Sequence, residues 1–398
     1  MVLETFYKNF QTWIESVLSG RYWLWKLIAI SVGLSLFLSF PPYQLVVKYL
    51  HGEINLDSWS FIEIQAQNLL RPEGIEEAIR RENMILRWTL PGLSYITRHN
   101  LILMLIIQAA LGVYFVYWIG KWAFQLTQDK ILTTFFVLSI SNTFVGIWHF
   151  AEVHGYGDGI AYFGLLAAML HRKPWASFLF LLIAFFTDER AVLAGGFLLL
   201  WNMIQRAYDL NSFTPSTLFP AIFQGRNRVI WLGWGVYLSI RFYVKSTYFP
   251  DHEYSTIGTP ELFDKMHRMG FGSSVWTTFE AFWFLLVGAA LLLYLTQKKT
   301  LLGMLSLAFF ILFLSTAFVH DIDRSLAYGF PFLLIAFFIF QKEASQRAFR
   351  LVMFICAMGC IIHPQVFYMG YNKIIWLEPL PLKIFQFIDH VFNWHIFH

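Results

Sequence analysis

Six polar stretches carry residues that could do chemistry, and each stands at the edge of, or inside, an apolar run. Asp57, in LDSWS, is a carboxylate that could take a proton from an acceptor hydroxyl or hold a metal. The segment HFAEVHGYGDGI offers His149, Glu152, His154 and Asp158, and that mixture of imidazole and acid could bind a divalent metal. Thr187-Asp188-Glu189-Arg190 and His320-Asp321-Ile322-Asp323-Arg324 each divide two apolar runs, where charge is costly unless paired or used. Arg87 stands where the chain returns to apolar sequence, and Arg241 lies inside the run YLSIRFYVK. A planar guanidinium meets two phosphate oxygens at once, so these arginines suit a phosphate-bearing ligand.

Each stretch also has a plainer reading. Asp57 could be a turn residue or a helix cap, and Asp158 and Asp188 could cap the helices that follow them. Glu189 could pair with Arg190, and the HDIDR cluster could close a hairpin with a local ion pair. Arg241, like Lys245 one turn further on, could snorkel to the headgroups. Cys356 and Cys360, one turn apart with His363 nearby, read as packed thiols in preference to metal ligands.

The elements that must position these groups are membrane helices. With 57% hydrophobic and only 14% charged residues, the apolar runs are apolar on all sides, unlike the striped helices of a soluble core. A mean hydropathy of +0.54 points the same way. The net charge of +4 is scattered and forms no basic stripe, so nucleic acid is not indicated. Residues 2–18 read as an interfacial helix with no cleavage site after it. Eleven spans are expected, near 22–40, 101–119, 131–148, 159–170, 174–187, 191–204, 229–247, 277–296, 301–319, 326–340 and 349–363. The two around Asp188 are short enough to form a re-entrant hairpin. Alternating them puts Lys26, Lys121, Lys130, Arg172, Lys173, Arg206, Lys298, Lys299 and Lys342 on one side, which is then cytoplasmic, as is the N-terminus. The candidate chemistry falls on the other side, outside.

The chain reads as one transmembrane domain over 1–398, with no internal repeat. Its longest polar insert, 41–100, forms an outer loop with two amphipathic helices. Trp59, Ile62, Ala66 and Leu69 mark the first, with Ser60 and Glu63 in capping-box form ahead of that face and Asp57 left outside the helix. Glu76 and Glu77 stand four residues before Arg80 and Arg81 in the second. Residues 364–398 form an outer or interfacial tail, amphipathic over 382–392.

This architecture, together with the re-entry Arg87-x-x-Leu90-Pro91 and the HDIDR segment followed by Tyr328 and Pro331, resembles the GT-C class of membrane glycosyltransferases. The resemblance implies an all-α polytopic enzyme that moves a sugar from a polyprenyl-phosphate donor to an acceptor on the non-cytoplasmic face. It further implies a bacterial inner (plasma) membrane and partners limited to that lipid-linked donor and membrane lipid. In that scheme Asp57 is the preferred catalytic carboxylate. Asp57 is followed by Ser58 and not by a second acid, so Asp158 and Asp188 share the candidacy. Arg324 with Arg241 or Arg190 would hold the lipid phosphate, with Glu189, Asp323, His320 and Arg87 lining the substrate. No cofactor is assigned, although a divalent metal would suit the same acids. The readings from other classes are a transporter or flippase of a lipid-linked or anionic solute, and a non-catalytic subunit of an envelope-assembly complex.

Overall fold

In sequence this apolar, a helix is the structure that satisfies every backbone N–H and C=O locally. A computed structural model describes residues 2–70, 84–248, 270–317, 319, 321–369 and 373–392, and these are helical almost throughout. The chain begins with α1 (Val2–Val17), α2 (Trp23–Leu38), α3 (Tyr43–Leu50), α4 (Asp57–Gln67) and α5 (Thr89–Ile96). It continues with α6 (Leu101–Thr127), α7 (Lys130–Ser141), α8 (Phe144–Ala151), α9 (Asp158–Leu170) and α10 (Pro174–Phe185). Next come α11 (Arg190–Asp209), α12 (Pro215–Ala221), α13 (Asn227–Tyr248), α14 (Phe271–Phe279) and α15 (Phe282–Leu295). The last helices are α16 (Lys299–Thr316), α17 (Ile322–Ala327), α18 (Pro331–Glu343), α19 (Gln346–Ile362) and α20 (Leu380–Phe392). Between α19 and α20 lies a two-stranded antiparallel hairpin, β1 (Val366–Met369) and β2 (Lys373–Trp376), in register Val366↔Trp376.

The all-α class holds, but the expected eleven spans do not. Among the described residues only α6, with 27 residues, and α16, with 18, are long and apolar enough to cross a membrane. Three bent pairs raise the count to five if each is one span: α2–α3 at 70°, α7–α8 at 55° and α14–α15 at 83°. The expected spans at 159–170 and 174–187 are apolar helices of 13 and 12 residues. At about 1.5 Å per residue, these reach well short of the roughly 30 Å of a bilayer core. Composition measures how greasy a run is, and it does not say where the run stops.

The bends have local causes. Pro41 and Pro42 end α2. Between α7 and α8, Asn142 Nδ2 donates to the Leu138 carbonyl and Thr143 Oγ1 to that of Ile140, so side chains take over helix acceptors. Gly146 then lets the chain fold back on itself, since a Cβ there would lie 2.1 Å from the Ile140 carbonyl oxygen.

The core is aromatic. Phe136 packs on Phe337 with ring centroids 4.3 Å apart, and Trp122 meets Trp201 at 5.8 Å. Lipid tails are as apolar as these side chains, so close packing holds the helices together better than burial alone would. The hairpin, which helical periodicity does not announce, inserts Phe367 into this core against Phe144 at 4.8 Å. The Phe40 N–H donates to the Glu378 carbonyl and ties the tail to the end of α2. Ile384, Phe385, Phe387 and Val391 of α20 are exposed.

The polar insert departs from its expected capping. Helix α4 starts at Asp57 itself, after Leu56, and no side chain caps it. Ser60 Oγ donates to Asn55 Oδ1 instead, so the Ser60–Glu63 box does not form. Asp57 is therefore the first residue of the helix and not outside it. Its side chain lies outside the described residues, as does the expected second helix around Glu76 to Arg81. Trp59, Ile62 and Ala66 are buried as expected, but Leu69 is exposed because α4 ends at Gln67.

Asp129 shows how short helices are held. One carboxylate oxygen caps α7 by accepting from the N–H groups of Ile131 and Leu132, and the other accepts from Arg350 Nε at 2.8 Å and from Gln346. Asp129→Ala removes a cap and a charged hydrogen bond together, so it should cost about 2–4 kcal/mol. A melting temperature no lower than wild type in the same detergent would contradict this.

Candidate functional site

Four acids and three arginines from four separate parts of the chain meet at one end of the bundle. Asp158 opens α9 behind Gly157, whose φ of 75° belongs to glycine. A Cβ on Gly157 would also lie 2.8 Å from Leu90. The cap position therefore falls to Gly157, and the carboxylate of Asp158 is released to face Arg324. Arg324 Nε donates to Asp158 Oδ2 at 2.6 Å and its Nη2 to Oδ1 at 3.2 Å. Tyr328 Oη and Trp148 Nε1 also donate to Asp158, at 3.0 and 3.1 Å. Asp158 is thus a four-fold acceptor and not a plain cap.

Arg324 spends its remaining donors nearby. Its Nη1 donates to Asp321 Oδ2 at 2.8 Å, and its Nη2 lies 3.6 Å from Asp188 Oδ2. The guanidinium also lies 3.9 Å from the centroid of the Tyr156 ring. With a side chain 3% exposed, Arg324 is an internal bolt and offers no free face to a phosphate, contrary to its expected role. Arg241 does not join it. Its Nη1 donates to Tyr237 Oη at 3.3 Å, and Tyr237 packs on Phe185 and Phe186, just before Asp188.

Asp188 is the hub of the outer half. Arg87 and Arg190 each approach its Oδ2 at 3.3 Å, and the Arg190 N–H donates to its Oδ1 at 2.9 Å. Glu189 pairs with Arg87 and not with its neighbour Arg190, through contacts of 2.8 to 3.0 Å. Arg190 turns instead to Asp321 at 3.5 Å. The re-entry brings Arg87 here because Trp88 stacks flat on Phe186, 4.8 Å between centroids, and the Thr89 N–H donates to the Phe186 carbonyl. The set carries one negative charge in excess, with its more exposed members, Arg87, Glu189 and Asp321, at the rim.

Two expected members stand elsewhere. Asp323 faces away from Arg324 and accepts from Thr277 and Thr278 hydroxyls at 2.8 and 3.1 Å. His320 lies outside the described residues. The metal set of 149–158 does not converge. His149 hydrogen-bonds the Val145 carbonyl, and Glu152 accepts from the N–H groups of His154, Gly155 and Gly157. Burial and the nearby Asp158 push the Glu152 carboxyl above its usual range, while the loop N–H groups pull it down. Among the described residues no three of His, Cys, Asp and Glu gather to hold a metal ion. Helix α4 covers this glycine loop: Trp59 Nε1 donates to the Val153 carbonyl at 2.8 Å, and its ring fills the space beside Gly155.

Sequence reasoning overlooked Trp148 and Tyr156, which look like ordinary aromatics, and Glu280. The signal for Glu280 was available, since an acid alone in WTTFEAFWF lies within an expected span.

Burial raises the Glu189 carboxyl, but Arg87 and then Arg190 outweigh it and hold it down at about 2 against an ordinary 4.5. A depressed acid stabilises the fold above its unfolded value and loses that contribution as pH falls through the folded one. The wild type should therefore lose stability as pH drops from about 4.5 toward about 2. Glu189→Gln should be less stable at neutral pH, by about 1–3 kcal/mol, and flatter across that acid window. Parallel acid denaturation curves would show that the pair contributes nothing. No family model, curated protein or solved structure matches this chain.

Proposed function

We propose that the protein is an integral membrane glycosyltransferase of GT-C-like design that uses a polyprenyl-phosphate-linked sugar, with its acid–arginine cluster on the non-cytoplasmic face. The observation that carries this reading is the convergence of Arg87, Arg190 and Arg324 on Asp188 at the end of an apolar bundle. Charge gathered beside apolar helices is costly unless paired or used, and the rim arginines, although paired here, have the chemistry to take an anionic ligand. The clamp, however, moves from Arg324 with Arg241 or Arg190 to Arg190 with Arg87. Their partners Glu189 and Asp321 are 24% and 18% exposed, whereas Asp158 and Asp188 are sealed. A phosphate enters by displacing Glu189 from Arg87 and Asp321 from Arg190, while Asp321 keeps its 2.8 Å bond to Arg324. Arg324, fixed by Asp158, keeps the frame in place during that exchange. Asp188, between the two rim arginines, is the carboxylate nearest a bound phosphate, and Asp57 at the start of the covering helix is the other candidate base.

An apolar groove of about 380 Å³ between α15, α16 and α18 suits the hydrocarbon chain of such a donor. Phe313 and Phe332 line it, and Phe332 lies four residues along the chain from Tyr328 of the cluster.

The transporter reading keeps one specific support. A carboxylate, Glu280, sits at the break of a bent helix pair, as ion-coupling sites of transporters do.

Binding of a polyprenyl phosphate to the full chain in nanodiscs tests the clamp. Arg190→Ala and Arg87→Ala should each weaken it about tenfold or more, as expected for losing one charged hydrogen bond. Arg241→Ala should leave it unchanged. Equal affinity in all three variants, or transfer that persists in the Arg87→Ala, Arg190→Ala double variant, would sink the assignment.

A further inference from the structure

Glu280 is a buried carboxylate outside the cluster that the sugar-transfer reading does not employ. It occupies the break between α14 and α15, with φ 49° and ψ −129°. That combination belongs to the first central position of a type II′ turn, which glycine dominates. The side chain is fully buried, and the Cys360 thiol and the Gln365 amide stand beside its carboxylate without closing a well-formed hydrogen bond.

The surroundings explain why the site persists. Helix α19 presses on the bend: a Cβ on Gly359 would lie 2.4 Å from Ala281 Cβ, and Cys356 Sγ donates to the Ala281 carbonyl. Four groups face Glu280 from the packed elements. Cys360 comes from α19, His363 and Gln365 from the segment after it, and Asp323 from α17. Gln365 Nε2 donates to the Asn142 carbonyl at 2.8 Å, so the breaks in α7–α8 and α14–α15 are joined through this one side chain. Thr277 and Thr278, three and two residues before Glu280, are engaged by Asp323. Among the described residues no lysine or arginine pairs with Glu280. The closest basic atom is His363 Nδ1, 3.7 Å from Oε1, which is itself without a partner.

An ionised carboxylate held out of water with no lysine or arginine beside it is heavily penalised beyond what the Gln365 amide and Cys360 thiol offset, and Asp323 is a second acid nearby. A proton on Glu280 removes that penalty. His363 is 22% exposed on its side chain and touches both the carboxyl and the surface. Burial holds its imidazole below the usual range, which leaves Nδ1 free to accept.

We propose that Glu280 is a proton-binding site, a carboxyl that is protonated in this fold and exchanges its proton with the outside through His363. The O–H bond at Glu280 breaks as an N–H bond forms at His363 Nδ1, and the imidazolium then returns the proton to water. One proton moves and no electrons do. The backbone strain is the cost of keeping a carboxyl where glycine would fit better. The inference is independent of the sugar-transfer reading, because it uses none of the cluster arginines.

Infrared difference spectra of the full chain in nanodiscs, at neutral pH in H₂O and D₂O, test it. The wild type should show a protonated-carboxyl stretch that shifts in D₂O. Glu280→Gln should lose that band, and Asp323→Asn should keep it. His363→Gln should retain the band but slow its exchange with D₂O. Glu280→Gly should lose the band yet melt higher than Glu280→Gln, since glycine relieves the strain. A band unchanged in Glu280→Gln would overturn the proposal. So would a wild-type band that appears only when sodium and potassium are removed, because the site would then hold a metal cation. A Glu280→Gly protein that melts below Glu280→Gln would defeat the strain argument.

Discussion

A guanidinium buried in an apolar bundle must find its counter-charge inside the protein, and the arrangement of this site follows from how Arg324 does so. Its partner Asp158 opens a helix more than 160 positions away in the chain, at 2.6 Å and out of water. Removing one member of such a pair would leave the other charged and buried, so the two must stay registered. That requirement reaches outward. Trp148 and Tyr328 complete the Asp158 carboxylate, and the Tyr162 hydroxyl donates to the Arg324 carbonyl. The same aromatics belong to the core, with Trp148 against Phe144 and Tyr162 against Tyr328. Site and core are therefore one packed object, and the rim arginines are set by a frame that does not itself touch solvent.

Breaks in helices, as much as helices, make this frame. The glycine loop after α8 wraps its N–H groups around Glu152 and delivers Asp158 at the right height. The break at Asn142 and the break at Glu280 are bridged by Gln365 from the segment leading into the hairpin. Irregular backbone of this kind is tolerated at membrane depth only where protein or water satisfies it. Asn142, Thr143 and Gln365 meet that condition with side-chain hydrogen bonds. The bends also explain why a greasy chain has so few straight spans.

The division of charge within the cluster separates two tasks that sequence had merged. Arg324 and Asp158 are sealed and structural, while Arg87, Arg190, Glu189 and Asp321 form a more exposed rim whose carboxylates, on the reading we propose, yield to another anion. A single guanidinium could not do both, since one that anchors two helices cannot also release its partners for a ligand.

Much was legible in the residues alone. Continuous apolar runs dictate helix, because nothing else satisfies their backbone away from water. Charges stranded between such runs mark where the candidate site lies, since their cost demands pairing or use. On that ground Asp158, Asp188, Glu189, Arg190, Arg87, Asp321 and Arg324 were all visible. What remained hidden was partnership. Glu189 prefers Arg87 over the adjacent Arg190, and Asp323 turns to Thr277 and Thr278, because pairing follows which side chains the packed helices bring within about 3 Å. Helix ends were hidden for a related reason. A capping box at Ser60 and Glu63 is a local preference, and Trp59 anchored on Val153 belongs to a tertiary contact under which the helix starts at Asp57. Local chemistry determined that charge had to gather in this protein, and only the packing of distant segments decided which charges meet.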